Sequence, residues 1–254
     1  MSDEHRWALI TGAGRRIGAH LAHELASQGY GLHLHTRGQD ARGYADRVQS
    51  EHGVPVHTHC LDLRDRDATR TWARELRQSP QAPGLIVNNA SPFPKPHHFD
   101  DLAALDEGLA VHLVAPTLLY EALTYRGGHV VHVLDARLPL FDGARPGYEL
   151  SKHATAAHIH LAARQMAPRV RVNAIAPGLV LPPPGHDHDH LQRLAWERAP
   201  LRTPARLEDL SAAVLFLEQA ATVTGQVLYV DSGEHLGAPP AEAGPARRPW
   251  QTET

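Results

Sequence analysis

Short apolar runs alternate along the chain with longer stretches in which apolar residues return every three or four positions. The runs read as buried strands, and the longer stretches as helices with one buried stripe. Strands are therefore expected at residues 7–10, 31–35, 54–61, 85–87, 128–134, 171–176 and 225–230. After the first of these, Ile17, Leu21 and Leu25, with Ala22 and Ala26, form a helical stripe that ends at Gly29. Further helices are expected at 68–76, 102–123, 146–166, 191–198 and 207–219, with Pro116 interrupting the second only locally. Strands alternating with helices predict a doubly wound α/β domain over residues 1–236, with a parallel sheet of about seven strands covered on both faces. Residues 237–254, rich in Pro, Gly, Ala and Arg, are expected to be a disordered tail.

The first strand runs into Thr11-Gly12-Ala13-Gly14-Arg15-Arg16-Ile17-Gly18 and then into a helix. That order makes the phosphate-binding corner of a Rossmann-type dinucleotide fold. Glycines let the backbone approach a pyrophosphate, and helix N-terminal amides favour the anion. An NAD site usually carries an acid near the end of the second strand. Here Leu34-His35-Thr36-Arg37-Gly38 has none before Asp40. Arg37 and Arg16 instead suit a 2′-phosphate, so NADP(H) is the expected cofactor, although surface arginines also occur without one. Asp62, followed by Leu63, is placed to accept from an adenine amino group or to start a helix. Asn88-Asn89-Ala90-Ser91-Pro92-Phe93 leaves the fourth strand where ligands enter such sheets.

Tyr148 and Lys152 lie four residues apart, hence on one helix face. Such pairs are common on solvated helices. Beside an ammonium, however, a phenol is expected to ionise more readily and to exchange protons near neutral pH. Asp135, at the end of the fifth strand and 13 residues before Tyr148, reaches the same sheet edge.

Composition narrows the remaining choices. The 254 residues, 42% hydrophobic and 21% charged, suit one soluble globular domain. A net charge of -3 gives no electrostatic case for nucleic acid or anionic membrane. No apolar run is expected to span a bilayer, and the N-terminus lacks a signal-peptide pattern. The single cysteine, Cys60, excludes an internal disulfide and suits a reducing cytoplasm. His186, His188 and His190 alternate with Asp187 and Asp189 in what reads as a solvated loop, so no metal site is expected.

Taken together, the glycine turn, Asn88-Asn89-Ala90, Tyr148 with Lys152, and Pro177-Gly178 resemble the short-chain dehydrogenase/reductase family over about residues 6–236. Asp135, where most members carry serine, resembles the pteridine and dihydromonapterin reductase branch, as do Arg15-Arg16, His35-Thr36-Arg37 and Ser91-Pro92-Phe93. The resemblance implies that Asp135, Tyr148 and Lys152 are catalytic. It implies NADPH contacts from Gly12, Gly14, Arg15, Arg16, Ile17 and Gly18, and from His35, Thr36, Arg37, Asp62 and Leu63. Asn89, Ala90, Ser91, Tyr148 and Lys152, with Pro177, Gly178 and Leu179, would complete the cofactor site. A pterin-like substrate would meet Arg16, Ser91, Phe93, Asp135, Tyr148 and Leu179, with Phe93 as one wall of a stacking slot.

Lys152 would hold the nicotinamide ribose, and Asp135 with Tyr148 would relay a proton to a ring nitrogen. A homotetramer is also implied. Two departures stand out. His112 occupies the place of a helix asparagine that supports a relay and a kink, and Asp231-Ser232-Gly233 replaces a glycine pair. The expected activity is NADPH-dependent reduction of a C=N bond in a dihydropterin. A carbonyl reductase and a non-catalytic dinucleotide sensor stay open beside it.

Overall fold

A computed structural model of the protein describes residues 6–38, 41–123 and 127–239. Seven strands run parallel in one sheet: β1 (Trp7–Thr11), β2 (Gly31–Thr36), β3 (Val56–Cys60), β4 (Leu85–Asn88), β5 (Gly128–Val133), β6 (Val170–Pro177) and β7 (Val227–Val230). Their order is β3-β2-β1-β4-β5-β6-β7. The chain therefore reverses its direction of growth between β1 and β4, and a crevice opens at their carboxyl ends. The expected doubly wound sheet is the observed one. The tail expected from residue 237 lies outside the described residues beyond 239.

Two cores flank the sheet. One packs α1 (Arg16–Ser27), α2 (Arg42–His52) and α8 (Leu207–Gln219) through residues such as Leu21, Leu25, Val48 and Leu210. The other packs α3 (Arg66–Gln78), α5 (Ala115–Leu119) and α6 (Pro146–Met166) through Trp72, Leu119 and Ile159. Asp65 caps α3 by accepting from the Asp67 and Ala68 amides at 3.1 and 3.0 Å, so the helix-start role considered for Asp62 belongs to Asp65.

The sequence pattern missed α2. Only Ala45 and Val48 are buried along its 11 residues, too thin a stripe to read, and Gly53 ends it at φ 68°. The expected solvated loop around His186 also needs correction. Asp187 accepts from the His190 amide at 2.8 Å and starts α7 (His188–Arg198), which takes up His188 and His190.

The stretch 102–122 is helical throughout but irregular: α4 (Leu102–Leu109), a π-helical turn (Ala110–Val114), α5, and a 3₁₀ turn (Tyr120–Ala122). Pro116 lacks the N–H that would bond to the carbonyl of His112 four residues back, and Thr155 Oγ1 donates to that carbonyl at 3.0 Å instead. The irregular turn expected to depend on an asparagine is thus kept by Pro116 and Thr155. Contrary to the sequence reading, the 21-residue stretch Leu102–Ala122, whose most apolar window has a mean hydropathy of 1.4, is long and apolar enough to cross a membrane by length and composition alone. In the fold it turns Val111, Ala115 and Leu119 into the second core.

Histidines on β2 and β3 form an ordered chain. Trp72 Nε1 donates to His59 Nδ1 at 3.1 Å, His59 Nε2 meets His33 Nδ1 at 3.0 Å, and His33 Nε2 meets the Gln81 carbonyl at 2.9 Å. Indole only donates and a carbonyl only accepts, so every proton position in the chain is fixed with both imidazoles neutral. Burial pushes His33 and His59 down to about 4. Between about 4 and the ordinary value of 6.5 the unfolded chain binds more protons than the native one. Stability should therefore fall as pH drops through that window, each of the two histidines accounting for on the order of 3 kcal/mol. Denaturant unfolding at stepped pH should give a shallower slope for His33→Phe/His59→Leu; an unchanged slope would remove this pair as the cause.

Candidate active site

The crevice between β1 and β4 is closed at its base by a polar clamp. Thr11 Oγ1 accepts from the Asn89 and Ala90 amides, both at 3.0 Å, and Asn89 Nδ2 donates to the Thr11 and Gly12 carbonyls at 3.0 and 3.1 Å. Side-chain bonds of this kind tie the end of β4 to the glycine turn. Gly12 sits at φ +66°, and a Cβ there would lie 2.9 Å from Ala90 Cα. One on Gly18 would lie 2.2 Å from the Gly12 carbonyl. The turn therefore needs both glycines. Arg16 starts α1 at φ 53° and reaches across the mouth to donate to the Pro182 carbonyl at 3.1 Å.

Asp135, Tyr148 and Lys152 come together as expected. Tyr148 donates to Asp135 Oδ2 at 2.9 Å, and buried Lys152 donates to the Val133 carbonyl at 2.7 Å. The electrostatics differ from the sequence reading, in which Lys152 draws the phenol down. Burial first, then the Asp135 charge and its hydrogen bond, push Tyr148 well above its ordinary value. Burial lowers Lys152 to about 8, partly offset by Asp135. The phenol therefore keeps its proton at neutral pH and serves as a donor in this state.

His112, in the π-helical turn, lies behind Tyr148 with the two rings edge-to-face at 5.6 Å. Ser151 Oγ donates to the Tyr148 carbonyl at 2.7 Å, which leaves it an acceptor for His112 Nδ1–H at 2.8 Å. His112 Nε2 is then an acceptor, and the Ser91 hydroxyl donates to it at 2.8 Å. Burial, with Lys152 adding to it, holds the imidazole neutral by lowering it well below the ordinary range. Ser91 is thereby turned so that its lone pairs, not its proton, face outward. A longer contact from Ser91 to the Pro92 carbonyl, at 3.3 Å, competes for that proton.

Phe93 is 64% exposed and 5.2 Å edge-to-face from Tyr148, with the Arg145 guanidinium 4.3 Å from the centroid of its ring as a cation–π partner. Arg145 also donates to the Pro94 carbonyl at 2.8 Å, so it fixes the 91–94 segment. Around Pro177, Gly178 and Leu179, the Leu179 amide donates to buried Glu234 at 3.2 Å, and the Pro177 carbonyl accepts from the Ala136 amide at 3.0 Å. Asp231 accepts from the Gly233 and His235 amides, holding Ser232 at φ 56° where the resemblance would put glycine.

Other expected cofactor contacts fall differently. His35 is buried, accepts from the Gly12 amide at 3.3 Å and bonds to the Leu61 carbonyl at 3.0 Å, so its ring supports the turn and is used up within the protein. The Leu63 side chain packs in the second core, leaving only its backbone for a ligand. Asp62 pairs with Arg64, at 2.5 Å for the closest contact, which holds its carboxyl below the usual range. Arg37 and Arg64 share Glu107 Oε1 at 3.2 and 3.5 Å. Arg37 and Arg16 thus turn to different partners. Thr36 is buried at the end of β2, and Gly14, Arg15, Ile17 and Ala90 line the turn.

Sequence reasoning missed Arg64, Arg145, Ser151 and Glu234. Arginines in loops carry no periodic signal, and Ser151 was visible only as a neighbour of Tyr148. The site fits a dinucleotide on two observations. The turn packs so tightly on Ala90 and on its own carbonyl that Gly12 and Gly18 admit no side chain, the close backbone turn a pyrophosphate needs, and the Asn88 amide at the end of β4 is buried with neither its nitrogen nor its oxygen partnered.

A family model described as enoyl-(acyl carrier protein) reductase matches residues 12–235. The chain is 32% identical over 243 residues to a protein named as ketoacyl reductase 2 of the granaticin polyketide synthase in Streptomyces violaceoruber, covering 90% of this chain and 96% of that one. It is 29% identical over 245 residues to the dihydromonapterin reductase of Klebsiella pneumoniae, covering 92% of this chain and 98% of that one. Among solved structures it is similar to the alternative dihydrofolate reductase FolM of Brucella suis in complex with NADP. There the identity is 31%, the TM-score 0.83, and the coverage 93% of this chain and 97% of that one.

Replacing Asn89 by alanine should strip the Thr11 and Gly12 carbonyls of their side-chain donor and cost about 1–3 kcal/mol of stability. Denaturant unfolding of Asn89→Ala measures this; a change within a few tenths would show that the clamp does not hold the turn.

Proposed function

The chain belongs to the short-chain dehydrogenase/reductase family, and from that premise we propose that it is an NADPH-dependent reductase acting on a C=N bond of a dihydropterin. The observation that carries this reading is the carboxylate of Asp135 at 2.9 Å from the Tyr148 hydroxyl, in the place where the family usually has a neutral serine. A serine hydroxyl suits a ketone oxygen. A carboxyl beside a protonated phenol suits a ring nitrogen that must gain a proton while polar ring groups are held. The likeness to dihydromonapterin reductase and to FolM supports the same reading.

When bound, NADPH supplies the hydride. The glycine turn and the α1 N-terminus receive its pyrophosphate. Arg37 and Arg64, now bridged by Glu107, bring two guanidiniums to the ends of β2 and β3, where a 2′-phosphate is accommodated. Lys152, pinned by Val133, serves the nicotinamide ribose and Asn88 the same end of the crevice. Phe93, steadied by Arg145, presents a ring face to a flat substrate, and Ser91 accepts from its amino groups. Asp135 orients the phenol, Tyr148 would pass one proton to the ring nitrogen as hydride reaches the C=N carbon, and solvent would return a proton to the pair through Asp135.

A second reading, reduction of a ketone such as a 3-oxoacyl thioester, is favoured by the granaticin relative. A homotetramer and a cytoplasmic place belong to the same proposal; exposed Leu102, Leu150 and Leu161 on α4 and α6 offer apolar surface through which copies of the chain would pack.

NADPH oxidation measured against dihydromonapterin, dihydrobiopterin, dihydrofolate and a ketone panel separates the readings. Dihydropterin turnover is expected, with NADPH preferred to NADH. Asp135→Ser should then lower kcat by roughly 10²- to 10⁴-fold. Turnover of ketones alone, or full pterin turnover by Asp135→Ser, would contradict the proposal.

A further inference from the structure

Away from the crevice, on the outer side of α1 and α2, three side chains converge that the reductase reading does not use. His23 lies on α1, and Glu51 and His52 close the last turn of α2. One ligand atom from each falls within 4.8 Å of the others. His23 Nε2 stands 3.2 Å from Glu51 Oε2, and the two imidazole rings meet edge-to-face at 4.4 Å. His52 Nε2 is buried and has no hydrogen-bond partner, an arrangement that leaves a ring nitrogen unsatisfied.

We propose that His23, Glu51 and His52 form a binding site for a divalent transition metal of the Zn²⁺ type, which clamps α2 to α1. Two imidazoles and one carboxylate are a common donor set for Zn²⁺, with water in the fourth position. Metal–nitrogen bonds of about 2.0–2.1 Å put tetrahedral ligand atoms about 3.3 Å apart. The His23–Glu51 pair already has that spacing, and side-chain rotation of about 1.5 Å brings in the third atom. The opposite nitrogen of His23, Nδ1, stands 3.8 Å from Glu24 Oε1, close to an outer carboxylate but outside hydrogen-bond distance.

The fold gives the clamp a purpose. α2 buries only Ala45 and Val48 along its length, whereas α1 begins at the phosphate-binding corner. A metal bridging the two would stabilise that corner from behind without entering the reaction.

The test uses full-length protein carrying no polyhistidine tag and stripped with a chelator. Zn²⁺ is titrated by calorimetry and Co²⁺ by its visible absorption, and the thermal midpoint is read with and without metal. The expected result is one equivalent of Zn²⁺, a raised midpoint, and a Co²⁺ spectrum of low coordination number. His23→Gln, Glu51→Gln and His52→Gln should each weaken binding about tenfold or more. His186→Gln/His190→Gln, which removes the stacked surface pair at the start of α7, should leave it unchanged. Circular dichroism of the stripped variants confirms that each is folded. Absence of a stoichiometric site, binding that survives the three substitutions, or binding lost only with His186 and His190 would overturn the proposal.

Discussion

A buried phenol sharing its proton with a carboxylate 2.9 Å away sets the terms for the whole catalytic edge. Burial first and the carboxylate second raise the phenol, and the ammonium of Lys152, buried on the same helix, is lowered by desolvation to about 8. Each group would be costly to bury alone. Together they are held because the Val133 carbonyl receives the ammonium and Asp135 receives the phenol. The neutral His112 behind them spreads this order further, since its fixed tautomer decides which way Ser91 faces.

Similar polar accounting holds the scaffold in place. Thr11 and Asn89 lock the glycine turn to β4, while the Trp72, His59 and His33 chain closes the far edge of the sheet. In both places the donors and acceptors form one consistent direction. Such networks specify a unique arrangement only when every member is satisfied. Asn88 and His52 are among the buried side chains with an unpartnered atom, and the proposed cofactor and metal sites would complete these two.

Much of the fold was legible because strand and helix periods differ and the five inner strands, β1, β2, β4, β5 and β6, are almost wholly buried. The glycine turn, Tyr148, Lys152 and Asp135 were legible because their chemistry depends on spacing that the sequence displays. α2 was not, because a surface helix with two buried residues leaves almost no stripe. The direction of the Tyr148 shift was missed for a different reason. Helical spacing reveals that Lys152 is close, but burial and the distance to Asp135 are properties of the folded chain. Arg64, Arg145 and the meeting of His23 with His52 depend on loops and helices brought together from distant parts of the chain. No local pattern marks them.

The central claim, that burial and the Asp135 charge together keep Tyr148 protonated as a proton donor, is tested most directly by spectroscopic titration of the tyrosines. The difference between wild type and Tyr148→Phe isolates one phenol. The account predicts no ionisation of Tyr148 up to the ordinary value of 10.0, and a lowered transition once Asp135→Asn removes the charge. A phenolate forming near neutral pH in the wild-type protein would contradict it.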